Sequence, residues 1–368
     1  MMRNEIIAND HAQTVLVKHL QDTEVCLRAA LRRVDPKADC QICPAADLGI
    51  PYDVIRLAGG FATGCVVDWS CRVPAIPIDI TMNIDTSSIF WLSGASEYSF
   101  SEHALRCLKA SIDERSSYEW NFNGGNHFIT HARASSGDDV LIIHSNEKEF
   151  KNQYNGLFPE GGNWYSDDIV CTLHSGKPLR LLVGSKAELF AQTARMLEGY
   201  NIVRHRFVAE MLTGKLHRIV RESHNHHYYM PTFTSAAIGC FVLEPGDCVP
   251  IFSTVGEDIL MFRAIAGGAN AIALSGGVER LIVPHGWGMT LSEPAEMVYE
   301  GGYFCLNGGR YLMENGNSLF QNPKVVQRSF PLGQKGFIEA ISDHTPGEIV
   351  EVFEQVSSYS RHGFVRHC

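Results

Sequence analysis

Five short segments carry most of the side chains in this chain that can do chemistry. They are Ile78-Asp79-Ile80-Thr81-Met82, Gly125-Asn126-His127-Phe128-Ile129, Ile142-Ile143-His144-Ser145, Ser223-His224-Asn225-His226-His227 and Pro284-His285-Gly286-Trp287-Gly288. One carboxylate and several imidazoles, spread along a chain, are the donor set from which a folded metal site is assembled. That set suits Mn, Fe or Zn rather than Ca or Mg. The last segment differs in kind. Its histidine lies between a proline and a glycine, which suits a reactive side chain that a substrate must approach closely.

Each residue has a structural reading beside the chemical one. His127 opens a predicted strand after two glycines and an asparagine, where a lone histidine is more often a satisfied core residue than a ligand. His144 ends the apolar run Val140 to Ile143, at the C-terminal end of a strand, where ligands commonly bind in α/β sheets. His224, His226 and His227 put three imidazoles into four residues. Strand alternation places His224 and His226 on one face and His227 on the other. Asp79 is flanked by Ile78 and Ile80, and a buried carboxylate there needs a cation, an arginine or a metal. Between Asn201 and Met230, Arg204, Arg206, Lys215, Arg218 and Arg221 face only Glu210 and Glu222. That stretch reads either as a solvated helix face or as an anion-binding wall beside the metal.

The elements that must position these residues read as a mixed α/β protein. Periodic leucines (Leu16, Leu20, Leu27 and Leu31) predict a helix from His11 to Arg33 that stops at Asp35-Pro36. Strands and tight turns are expected from Asp53 to Trp91, a helix from Ser101 to Arg115, and strands at His127–His131 and Val140–His144. Gly156 to Trp164 reads as a loop. A long helical pattern runs from Lys186 to Val220, with breaks at Gly199 and Gly214, and a final helix is expected from Pro346 to Ser358. No Pro/Ser linker or repeat divides the chain. The expected organisation is an N-terminal helical extension, residues 1–40, on a single compact domain of layered β-sheets flanked by helices, residues 41–368.

Composition sets the class. Of 368 residues, 45% are apolar and 20% charged, which is ordinary for a globular protein. No stretch approaches the roughly 20 apolar residues of a membrane helix, and Met1 to Asp10 has no signal-peptide pattern. The expectation is a cytoplasmic protein with no membrane partner. Eleven cysteines, an odd and scattered set, fit a reducing compartment, and the Cys40-Gln41-Ile42-Cys43 pair reads as free thiols. A net charge of -10 argues against nucleic-acid binding through overall charge, though not against a local basic groove.

Taken together, the segments resemble the RtcB family of RNA ligases. That family carries Asp-x-x-Cys, then Gly-Asn-His-Phe-Ile, His-Ser-Gly-Ser-Arg, His-Asn and Ser-His-Gly-Ala-Gly-Arg. Here Gly125 to Ile129 matches the second motif in full, and Val140 to Ser145 matches the strand and His-Ser of the third. His224-Asn225 is similar to the fourth, and a His-His reading ending at His227 is the alternative. His285-Gly286-x-Gly288 is similar to the fifth. The resemblance runs from about Asp53 to Ser292, with a fainter echo at Phe364-Val365-Arg366.

The resemblance implies a specific chemistry. His285 would take GMP from GTP as a phosphoramidate and pass it to an RNA 3'-phosphate or 2',3'-cyclic phosphate end, and a 5'-hydroxyl end would then displace it. Mn²⁺ or Zn²⁺ would be held by Asp79, His127, His144 and His224. Asn126, Gly286, Gly288 and Arg366 would line the GTP site, and an accessory protein is a further expected partner. The sequence also departs from the family. Met82 stands where the family has its metal-binding cysteine, Glu147 enters the phosphate loop, and Ala237, Ile238 and Met289 replace cationic residues. Each lost charge-assisted contact to phosphate is worth about 1.5–3 kcal/mol. The alternatives are a metal-binding relative acting as a phosphoesterase, and a module that binds RNA ends or a protein.

Overall fold

A computed structural model describes residues 6–367 except 52–53, 94–99, 116, 151–163, 175, 215–217, 301–302, 307 and 313–321. Most of the expected loop at 156–164, together with Lys215, therefore lies outside the described residues. The fold is α/β, with layered sheets flanked by helices. Its helices are α1 (His11–Val34), α2 (Val54–Ala58), α3 (Glu102–Arg115), α4 (Ser185–Thr213) and α5 (Gly333–Ile341). An 11-stranded sheet forms the centre. Its strands in chain order are β1 (Asp39–Gly49), β2 (Thr63–Ser70), β3 (Asp85–Ser93), β4 (Phe128–Ala134), β5 (Asp139–Asn146), β6 (Arg218–Thr232), β7 (Ser235–Ile238), β8 (Cys248–Ile251), β9 (Ile259–Ala264), β10 (Gly347–Ser360) and β11 (Gly363–Arg366). The spatial order is β1-β2-β7-β6-β3-β5-β4-β10-β9-β8, with β11 on β10, and every pairing is antiparallel.

The middle of this sheet is buried on both faces. Along β5, Leu141 and Ile143 join Phe90, Leu105 and Val208 in one core, while Val140 and Ile142 join Ile89, Phe252 and Phe353 in another. A strand covered on both sides reads as the continuous apolar run seen at 140–143. Alternation then puts His144 on the Phe252 side and Ser145 on the α4 side.

The N-terminal helix is no appendage. Leu16, Leu20, Leu27 and Leu31 are buried in the same core as Leu48 of β1, Val67 of β2 and Ile78. The boundary expected at residue 40 falls inside β1. Arg328 fixes the arrangement from within. Its Nε donates to Asp10 at the N-cap of α1 (2.6 Å), and its Nη atoms donate to the carbonyls of Asp47 (3.0 Å), Trp287 (2.8 Å) and Leu48 (2.5 Å). One buried cation thus joins α1, β1 and the segment that carries His285.

Two expectations are corrected, and the reading of Cys40 and Cys43 as free thiols holds. Residues 347–360 form strand β10 instead of a helix. Phe353, Gln355 and Ser357 are buried at period two, and the β-branched Ile349, Val350, Val352 and Val356 suit a pleated surface. Helix α4 runs through Gly199 without a break and stops at Gly214, whose φ is 63°. Cys40 and Cys43 lie three apart on an extended strand, which points them to opposite faces, and all described cysteines are free. Among the described residues no helix is long and apolar enough to cross a membrane.

Removing one partner of a buried ion pair leaves the other charge uncompensated, at a cost of about 3–5 kcal/mol. Arg328→Met is accordingly expected to lower the unfolding free energy by that amount in urea titration, with α1 and the sheet unfolding in one transition. A loss below about 1 kcal/mol in urea titration would contradict the bridging role.

Candidate metal centre

Three imidazoles meet where the central sheet faces a smaller one. His144 comes from the end of β5. His227 comes from β6, at a bulge: Asp85 pairs with Tyr228 and Thr86 with His226, so His227 is the extra residue. A bulge re-aims a side chain. His285 follows the strand Val278–Pro284, which pairs with Cys240–Leu243 in the smaller sheet. The Nε2 of His144 is 2.9 Å from that of His227 and 3.3 Å from that of His285. One ligand atom from each of the three rings lies within 4.8 Å of the others. The rings of His227 and His285 stack at 4.1 Å.

Asp85, at the start of β3, supplies a carboxylate. Its Oδ1 is 3.9 Å from Nε2 of His144, and its Oδ2 is 3.9 Å from Nε2 of His227 and 3.9 Å from Nε2 of His127. Ligands at about 2.1 Å around a tetrahedral ion stand about 3.4 Å apart, so these separations bracket a metal-ligand polyhedron. Polar atoms are left over as well. Asp85 Oδ1, His144 Nδ1 and His227 Nδ1 are buried without a hydrogen-bond partner among the described residues.

The electrostatics fit a cation. Burial holds the His144 and His227 imidazoles well below their ordinary range, and the neighbouring histidines push the same way. Burial lowers His285 to about 4. Burial lifts Asp85 to about 7 against the pull of the Thr86 backbone, Arg204 and Arg56. Three neutral imidazoles in such close contact can share only some of their lone pairs through N–H···N bonds. A cation among them would satisfy every lone pair, and imidazole with carboxylate is the donor chemistry of Mn, Fe or Zn. The walls are apolar: Phe128 stacks on His144 at 5.2 Å, and Phe252 and Phe241 pack against His285.

His127 stands on the far side of Asp85. Its Nδ1 donates to Asn121 Oδ1 (3.1 Å), while Asn121 Nδ2 donates to Asn146 Oδ1 (2.7 Å). Asn121 thereby fixes the ring and leaves Nε2 unprotonated toward Asp85, the usual outer support of a ligating histidine.

Two expected ligands lie elsewhere. Asp79 accepts from Arg180 through Nη2 (2.6 Å), Nε (2.8 Å) and the backbone N–H (2.8 Å), so an arginine is the partner its burial requires. Met82 is buried in the core under α1. His224 faces α4, with its Nδ1 at 2.8 Å from Ser88 Oγ. The alternation read from the sequence separates it from His227, and His227 is the residue on the side of the centre. Asp85 had no motif to mark it. Its signal was its place at the head of a strand paired with the apolar run 140–143.

The expected nucleotide-site residues take varied places. Asn126 is exposed beside His127, and Arg366 is exposed on β11 opposite Ser357. Gly286 and Gly288 are each required by close packing. A Cβ at Gly286 would lie 2.7 Å from the Phe252 carbonyl oxygen. At Gly288, with φ 68°, it would lie 2.7 Å from Arg328 and 2.8 Å from the Asp47 carbonyl oxygen. Trp287 turns away, donating to Gln334 (2.9 Å). Among the described residues the basic stretch forms no open wall: Arg204 is buried on Glu149 (2.9 Å), Arg206 pairs with Glu222, and Arg221 pairs with Glu351 (3.1 Å). Glu147 is buried, and burial lifts it to about 8, so it brings little charge at neutral pH.

No protein-family model matches this chain, and no curated protein proved similar to it. The reading of the centre therefore stands on its geometry.

The pH dependence of the metal-free protein follows with a definite sign. Folded Asp85 keeps its proton up to about 7, whereas an unfolded aspartate loses it near 3.8. Stability due to Asp85 therefore falls as pH rises through that window. Asp85→Asn cannot ionise, so its melting temperature should gain on the parent between pH 5 and pH 8. A pH-independent difference in calorimetry would contradict the buried, unpaired carboxyl. The depressed histidines act oppositely but are common to both proteins.

Proposed function

We propose that this chain is a metal-dependent nucleotidyl-transfer enzyme of the RtcB type that acts on RNA ends through His285. The reading rests on one observation. Histidines from four of the five separate segments converge, although 158 residues separate the first from the last: His127, His144 and His227 each stand 3.9 Å from the Asp85 carboxylate, and His285 meets His144 and His227. A structural role for each histidine alone gives no reason for that convergence.

The chemistry uses groups already described. With its pKa lowered to about 4, His285 keeps a free lone pair at neutral pH. It would attack the α-phosphorus of GTP, forming a P–N bond as pyrophosphate leaves. GMP would then pass from the imidazole to an oxygen of an RNA 3'-phosphate. A 5'-hydroxyl would attack that phosphorus, forming the new phosphodiester as GMP leaves. Mn²⁺ or Zn²⁺ held by His144, His227 and Asp85 would supply positive charge for the phosphate oxygens. Asn121 and Asn126 would orient His127 and face the nucleotide, and the apolar wall of Phe128, Phe241 and Phe252 would exclude water. Free thiols fit a cytosolic setting.

A second reading is favoured by one distance. At 3.3 Å from Nε2 of His144, the Nε2 of His285 suits a third metal ligand as well as a nucleophile. The cations near the centre are also engaged by protein partners. On that reading the chain binds metal and hydrolyses a phosphate ester or holds an RNA end, without ligation.

The two readings separate in one experiment. Protein incubated with α-labelled GTP and Mn²⁺ should carry an acid-labile, alkali-stable label, and His285→Ala should lose the label while still taking up metal through His144, His227 and Asp85, about tenfold or more weakly for the loss of the neighbouring imidazole. If His285→Ala instead loses the metal and the parent never labels, the second reading holds. A parent that neither labels nor binds metal defeats both.

A further inference from the structure

Asp47 is a buried carboxyl outside the metal-binding set, and it lies in the apolar part of β1 between Ala46 and Leu48. Its Oδ2 accepts the backbone N–H of His285 (3.0 Å) and of Gly286 (3.3 Å). Its Oδ1 is buried with no partner among the described residues. Arg328 bonds the Asp47 carbonyl oxygen, not the carboxyl, so no described cation pairs with the side chain. On the opposite side, the Phe252 N–H donates to the His285 carbonyl (3.0 Å), and Gly286 packs against the Phe252 carbonyl.

The peptide that carries the imidazole is thus gripped from two sides, by Asp47 and by the Phe252 backbone. A buried carboxyl without a cation costs free energy, and an apolar residue would suit β1 better. The two loop N–H groups, with the positive charge of Arg328 nearby, offset that cost, and without Asp47 both N–H groups would lose this acceptor. We propose that Asp47 is a positioning residue, whose carboxyl orients the 285–286 peptides so that the His285 imidazole meets His144 and His227. This rests on the metal-centre reading for its consequence, though not for its geometry.

The test uses full-length protein loaded with Co²⁺, whose visible absorption reports coordination geometry. Asp47→Asn keeps a side-chain oxygen acceptor and should keep the parent spectrum. Asp47→Ala should change the spectrum and weaken Co²⁺ binding about tenfold or more, a loss of one well-held ligand. A purely stabilising role would shift urea unfolding in both variants and leave the spectrum of folded protein unaltered. Folded Asp47→Ala with the parent's spectrum and affinity would overturn the proposal. If Asp47→Ala does not fold, amide NMR of the metal-free parent and Asp47→Asn decides: the His285 and Gly286 amides should exchange slowly in both. Fast exchange at His285 in the parent would overturn it. If the parent takes up no Co²⁺, the metal reading fails, and the amide measurement alone judges Asp47.

Discussion

The organising constraint in this molecule is the desolvation of four polar side chains in one place. His144, His227, His285 and Asp85 lie under aromatic walls, where charge on an imidazole is penalised and an unpaired carboxylate is costly. The fold keeps them together because each is tied to a rigid element. Two come from paired strands at the buried middle of the sheet, one from a bulge, and one from a segment gripped by β1 and Phe252. Arg328 links that segment to α1, so the N-terminal helix is part of the scaffold of the site. Such a cluster has little reason to persist without an ion to satisfy its lone pairs.

The same constraint makes His285 ambiguous. An imidazole kept neutral by burial is a good nucleophile and a good metal ligand, and the two roles compete for one lone pair. The surrounding charge tilts the choice. Arg204 lies close enough to act on Asp85 but is held by Glu149 and Ser145, while Arg56 is held by the Ile80 carbonyl and by Thr81. On the proposed nucleotidyl-transfer reading, phosphate binding would then rely on a metal and on exposed groups such as Asn126.

Much of this was legible in the sequence, and the rest was hidden for physical reasons. Leucine periodicity in α1 and the apolar run of β5 reported burial directly, so helix and strand were read correctly there. His127, His144 and His285 stood out by their neighbours. Alternation on β6 separated His227 from His224, but a strand pattern cannot say which face meets the centre, and the bulge is set by pairing with β3. Asp79 looked like the ligand because it is flanked by isoleucines, yet Arg180, 101 residues away, meets its charge. Residues 346–358 misled because a strand shared between two neighbours shows period two only in part. The glycines around His285 suggested an open approach, whereas close packing against Phe252, Asp47 and Arg328 requires them. In each miss, a long-range partner decided the outcome.

The central claim is that three imidazoles and one carboxylate form a metal centre, and X-ray absorption at the metal edge of Zn²⁺-loaded protein tests it most directly. The account predicts one tightly bound ion per chain, ringed by His144, His227, His285 or a substrate atom in its place, and Asp85. The spectrum should show two to three imidazoles, one carboxylate oxygen and no sulfur. An ion surrounded by water or sulfur, or protein that takes up no ion at all, would contradict it.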